Sequence, residues 1–104
     1  MRVEFVNKKL LELYLKGKSN KYKAITGSLL GKFYMRIQSF EAAATIYDLW
    51  ATSSMKFEKL EGHTSRYSCR LNKDWRLEME IEWENPDKTV GVIRIEELSK
   101  HYGD

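Results

Sequence analysis

The sequence predicts an α+β fold in which two or three helices pack on one face of a twisted antiparallel sheet of four to five strands. Three observations carry this. From Trp75 to Glu84 the chain alternates, with Trp75, Leu77, Met79, Ile81 and Trp83 on one side and Arg76, Glu78, Glu80, Glu82 and Glu84 on the other. Between Lys21 and Phe40, Tyr22, Ile25, Leu29, Phe33, Ile37 and Phe40 recur at steps of three and four, the period of a helix with one buried stripe. The order along the chain is a strand, then helices, then strands joined by short turns, which segregates the helices to one face of an antiparallel meander.

Each element has its own signal. Arg2 to Val6 alternates and is β-rich, so it reads as a short first strand. Asn7 is placed to cap a helix over Lys8–Lys16, with Leu10, Leu11, Tyr14 and Leu15 at helical spacing and Gly17 as its stop. The long helix follows from Lys21 to about Phe40. Gly27 and Gly31 sit four apart inside it, and the expectation is that they admit close packing of another element. A third helix spans Glu41 to Trp50, where Thr45 and Asp48 have the spacing of a restart cap. Lys56 to Leu60 is a short strand, and a turn with His63 follows. Ser65 to Leu71 alternates, with Tyr67, Cys69 and Leu71 opposite Arg66, Ser68 and Arg70. Asn72-Lys73-Asp74 is a tight connection into the Trp75 strand. Asn85-Pro86-Asp87-Lys88 is a turn, and Thr89 to Glu96 is the last strand, with Ile93 and Ile95 on one side.

Length and composition narrow the function classes. The 104 residues make one domain, 1–104, and 42% hydrophobic with 32% charged residues is a globular composition. Apolar runs are only a few residues long, so no membrane span is expected, and the first residues lack the apolar core of a signal peptide. One cysteine, Cys69, makes neither an internal disulfide nor a zinc cage, and its alternation places it in the core. A cytoplasmic location is the expectation, with no metal and no cofactor.

The net charge of +3 hides a pattern. Residues 1–38 carry nine Lys and Arg against two acids, while residues 77–104 carry eight acids against three bases. A basic front half suits an anionic partner such as a nucleic acid, although a solvated lysine-rich helix face gives the same composition. The polar face of the hairpin displays Arg66, Arg70 and Arg76, with Lys59 expected on the neighbouring short strand. Cations gathered on an open sheet suit a phosphate backbone, and Glu78 and Glu80 are near enough to pair with them instead. No serine or cysteine lies in a nucleophile motif, and no phosphate loop or metal spacing is present. His63 reads as a solvated turn residue.

Three segments together resemble bacterial toxins of the RelE/ParE superfamily, and within it the HigB-like group, also called proteic killer proteins. The first is Val3-Glu4-Phe5 with Asn7-Lys8-Lys9-Leu10 and the long helix. The second is Phe57 to Gly62, followed by Arg66 to Leu71 and Lys73-Asp74-Trp75-Arg76-Leu77. It is similar to the family's His-Pro-Leu-Lys-Gly turn, next strand and Asn-Trp-Arg strand start. The third is Ile93 to Leu98 with Lys100-His101-Tyr102-Gly103, where the family closes with Asp-Tyr-His. Glu58 and Glu61 replace the family's His and Lys, Lys59 stands where Pro is common, and the tail order is His-Tyr.

The resemblance implies a type II toxin that cleaves messenger RNA on the ribosome as a metal-independent endoribonuclease, with a cognate HigA-like antitoxin as its silencing partner. Arg76 matches the family's Trp-Arg position and is implied to stabilise the phosphate. His101 or Tyr102 is implied as acid or base, Lys59 as an assistant, and Arg70, Arg66 and Lys73 as RNA contacts. The alternatives are a ParE-like toxin that acts on DNA gyrase without nuclease activity, or a catalytically weakened binding module of the same fold.

Overall fold

The computed structural model describes residues 1–100; His101 and Tyr102 lie outside the described residues. The elements are β1 (Val3–Phe5), α1 (Lys8–Lys16), α2 (Gly27–Ala42), α3 (Ile46–Ala51), β2 (Glu58–Lys59), β3 (Arg66–Arg70), β4 (Trp75–Trp83) and β5 (Gly91–Lys100), with one 3-10 turn at Ser53–Met55. The five strands form one sheet in the order β1-β5-β4-β3-β2. β2 to β5 pair antiparallel, as the alternating segments and short turns require. β1 instead runs parallel to β5, so the sheet is mixed at that edge. Parallel pairing needs a long connection, and the three helices between β1 and the later strands supply it.

α1 begins where the sequence places it. The Asn7 Oδ1 accepts hydrogen bonds from the Lys9 and Leu10 N–H groups, and Gly17 ends the helix with φ 76°, its N–H donating to the Leu13 carbonyl. α2 starts later than its periodicity predicts. Residues 21–24 form a turn, because the Ser19 carbonyl and hydroxyl capture the Tyr22 and Lys21 N–H groups. Gly27 opens the helix at φ 55° and Gly31 lies within it, but a Cβ at either would meet nothing within 4 Å. The expectation that these glycines admit a packed element is therefore corrected: Gly27 serves the backbone bend instead. α3 is shorter than expected, because α2 runs on to Ala42 and the Thr45–Asp48 capping box restarts the chain only at Ile46. Backbone N–H donation from Thr45 and Ala44 holds the Asp48 carboxyl below its usual range.

The core lies between the helices and one face of the sheet. Leu10 and Leu13 of α1 and Phe33, Ile37 and Phe40 of α2 meet Leu77, Met79, Ile81, Ile93 and Ile95. Each such side chain contributes about 1.5–3 kcal/mol on burial. The alternation of β4 is borne out at its centre, while Trp75 and Trp83 are half-buried at its ends. β5 runs four residues further than its sequence pattern indicates. Its register with β4 shifts between Glu78 and Met79, leaving Glu96 as the extra residue of a bulge. Ile93, Ile95 and Leu98 thereby all face the core. The Asn7 Nδ2 donates to the Glu96 carbonyl at 3.0 Å and to the Tyr22 hydroxyl at 3.0 Å, tying α1, the following turn and the bulge together.

Candidate functional site

The uncovered face of the sheet collects charge by register. β3 and β4 pair Arg66 with Glu80, Ser68 with Glu78, and Arg70 with Arg76. The register is fixed by the turn between them: the Asn72 Oδ1 accepts from the Asp74 and Trp75 N–H groups, both at 2.8 Å. Two guanidinium groups thus stand directly opposite each other, an arrangement that disfavours the sheet unless an anion lies between or beside them. From the helix side, the buried Arg36 of α2 donates its Nε to the Arg70 carbonyl at 2.7 Å and a terminal nitrogen to the Ser54 carbonyl at 3.3 Å. The strand end that carries Arg70 is held rigidly from below.

Carboxylates occupy most of the arginines on this face. Arg76, only 17% exposed, lies 3.6 Å from Glu58. Arg66 lies 3.1 Å from Glu78 and 3.7 Å from Glu97, and the Ser99 hydroxyl donates to the second Glu78 oxygen at 2.9 Å. Arg94 lies 2.8 Å from Glu82 and 3.6 Å from Glu4. Arg70 makes no ion pair among the described residues, which leaves its guanidinium available beside Arg76.

The structure brings Arg66, Arg70 and Arg76 onto one face and puts the exposed Lys73 in the turn at their end. Lys59 is placed differently from expectation. It pairs with Tyr67, whereas Glu58 pairs with Ser68, so β2 presents Glu58 and not Lys59 on the arginine face. With only two residues in β2, the sequence pattern was too short to set that register. Arg36 was not singled out from sequence, yet its place three residues after Phe33 and four before Phe40 puts it on the buried stripe of α2. Cys69 is excluded as a nucleophile: burial pushes its thiol up to about 12, against a smaller opposing effect of the Arg36 charge. Among the described residues no group of His, Cys, Asp and Glu is arranged to hold a metal ion, and no helix is long and apolar enough to cross a membrane.

A layer of three helices over a five-stranded mixed sheet, whose open face carries a clustered arginine end, is an α+β fold. Solved structures share it. The chain is similar to the YoeB dimer from Staphylococcus aureus at 19% identity, TM-score 0.55, covering 98% of both chains. It is similar to the Staphylococcus aureus YoeB–YefM complex at 20% identity, TM-score 0.57, again covering 98% of both chains. A YoeB/ParE toxin from Agrobacterium tumefaciens matches at 12% identity and TM-score 0.57, over 98% of this chain and all of that one. No curated protein matches the chain. Residues 3–90 match the model of the HigB-like toxin family, and the chain belongs to that family, the RelE-like toxins of type II toxin–antitoxin systems.

Proposed function

We propose that the protein is a ribosome-dependent endoribonuclease that cleaves messenger RNA without a metal, acts in the cytoplasm and is silenced by a HigA-like antitoxin. The observation that carries this reading is the Arg70–Arg76 register pair, with Arg70 in no ion pair among the described residues and the exposed Glu58 carboxylate 3.6 Å from Arg76. In metal-free cleavage the 2′-hydroxyl attacks the adjacent phosphorus, the bond to the 5′-oxygen breaks, and a 2′,3′-cyclic phosphate and a 5′-hydroxyl result. One group takes the 2′-hydroxyl proton, another gives a proton to the leaving oxygen, and cations hold the charge that gathers on the phosphoryl oxygens. Arg76 holds that charge in this reading. Arg70, Arg66 and Lys73 position the strand, and His101 and Tyr102 supply acid and base. Lys100, the residue before His101 in the sequence, has Trp75 as its register partner, next to Arg76. Lys59, on the other face, takes no part.

For the RNA to enter, its phosphate displaces Glu58 from Arg76. Glu58 is the solvent-facing member of the pair, 56% exposed, so it can swing away while Arg76 stays in place. The acidic row Glu78, Glu80 and Glu82 supports a second reading, in which this face docks a protein as in the ParE branch that acts on gyrase. Primer extension on messenger RNA from expressing cells separates the two. New 5′ ends within reading frames are the expected result; growth arrest with intact messenger RNA would transfer the function to the gyrase-type reading.

A further inference from the structure

A cavity of about 450 Å³ opens between the end of α1 and the start of α2, built from residues the sheet site does not use. Lys16, Lys18 and Lys23 line it, all three are exposed, and none makes an ion pair among the described residues. Glu12 also lines it, one helical turn before Lys16, and does not pair with that lysine. The floor is apolar: Tyr22 and Ile25 are 5% and 0% exposed. The floor is also fixed, because the Tyr22 hydroxyl accepts from Asn7 and the Tyr22 and Ile25 N–H groups close successive turns onto the Ser19 and Tyr22 carbonyls. Thr26 lines the same space, and its side chain does not cap α2, whose first turn carries no acidic residue.

Three lysines lining one small space favour a ligand that concentrates negative charge in a compact group. A phosphate does this, with several acceptor oxygens on one centre, and lysine binds it as a point charge. Carboxylates strung along an acidic peptide are spaced by a residue rise of about 3.3 Å and suit a stripe of cations better than a cavity. An apolar floor beside the cations takes a planar ring, and the volume falls within the range of small-ligand sites, about 300–1,000 Å³. We propose that this cavity binds a nucleotide through its phosphate, either as a free nucleotide or as one unit of an RNA strand. The site stands apart from the nuclease reading and survives if that reading fails.

The test is an NMR amide-shift titration of the intact protein with adenosine 5′-monophosphate and, separately, with a short single-stranded oligoribonucleotide. Polyglutamate serves as the acidic-chain control. Saturable shifts at Ser19, Asn20 and Thr26 are expected, and Lys18→Glu with Lys23→Glu should weaken the affinity at least about tenfold and steepen loss with salt least where fewest cations remain. Arg76→Ala should leave the shifts at Ser19, Asn20 and Thr26 unchanged, which keeps this site distinct from the sheet. Shifts with the monophosphate alone identify a free nucleotide as the ligand, and much tighter binding of the oligoribonucleotide identifies an RNA strand. Absence of saturable shifts with both probes, equal affinity in the double variant, or tighter binding of polyglutamate at the same amides would each overturn the proposal. The replaced lysines are exposed, so the variant keeps its core, and circular dichroism confirms it.

Discussion

On the open sheet face, Arg66, Arg76 and Arg94 each face a carboxylate at 2.8–3.7 Å, whereas around the α1–α2 cavity Lys16, Lys18 and Lys23 make no ion pair among the described residues. The two regions use positive charge differently. Paired arginines are held in fixed orientations, which suits a site that must place charge on particular atoms of a transition state. Unpaired lysines leave their field uncancelled and suit capture of an anion. Counting cations along the chain therefore does not locate the chemistry. In the proposed reading, the excess over residues 1–38 draws the anion and the nearly balanced sheet face controls geometry.

The comparison breaks most visibly at Arg76. Arg76→Ala should lower cleavage by about 10²–10³ and relieve growth arrest, while stability changes by no more than about 1 kcal/mol because the residue lies off the core. Growth curves with a urea melt of the purified variant read both effects. A wild-type growth arrest in the variant would remove Arg76 from the site.

Alkaline pH probes the strand beneath the arginine pair. Burial raises the Cys69 thiol from about 9 to about 12 in the folded state, so the unfolded chain ionises first as pH rises. The stability that Cys69 contributes is complete below about pH 9 and declines as pH climbs towards 12. Urea melts between neutral and alkaline pH should show this decline, and Cys69→Val should flatten it. An identical slope in the variant would place the pH dependence elsewhere.

Asn7 is the joint between the two regions, bonded both to the Tyr22 hydroxyl of the cavity floor and to the Glu96 carbonyl of the bulge. Asn7→Ala should cost about 1–3 kcal/mol, since it removes the α1 cap and unpairs the bulge carbonyl. A melt unchanged within error would show that the two regions are anchored independently. The smallest effect is expected at Glu58. Glu58→Gln removes one carboxylate charge from beside Arg76 and should tighten binding of a short RNA by up to about fivefold, the equivalent of about 1 kcal/mol. Weaker binding, measured by fluorescence anisotropy, would mean that Glu58 orients Arg76 for the ligand and does not compete with it.

Much of this fold was legible in the sequence, for physical reasons that also explain the misses. Period-two alternation over Trp75–Trp83 left one register compatible with a buried core, and β4 follows it. Asn7 and Gly17 bounded α1 because each satisfies backbone groups that little else satisfies as well. The start of α2 was missed because local hydrogen bonds at Ser19 compete with helix over residues 21–24, a competition that apolar spacing does not report. The parallel seat of β1 was not legible, since three residues carry no directional signal. At the site, alternation put Arg66, Arg70 and Arg76 together. Their carboxylate partners were only partly foreseen: Glu78 was, but Glu58 depended on the register of the two-residue β2, and Glu97 on a bulge. The three-residue step from Ile95 to Leu98 is the trace that bulge leaves in the sequence.

In the proposed function the sheet performs the chemistry and the lysine cavity does not. Steady-state cleavage of messenger RNA on purified ribosomes, with kcat and KM resolved for Arg76→Ala and for Lys18→Glu with Lys23→Glu, tests that division directly. A kcat loss of about 10²–10³ is expected for Arg76→Ala and an unchanged kcat for the lysine variant, whose effect is confined to KM. A wild-type kcat in Arg76→Ala, or a collapse of kcat in the lysine variant, would contradict that division.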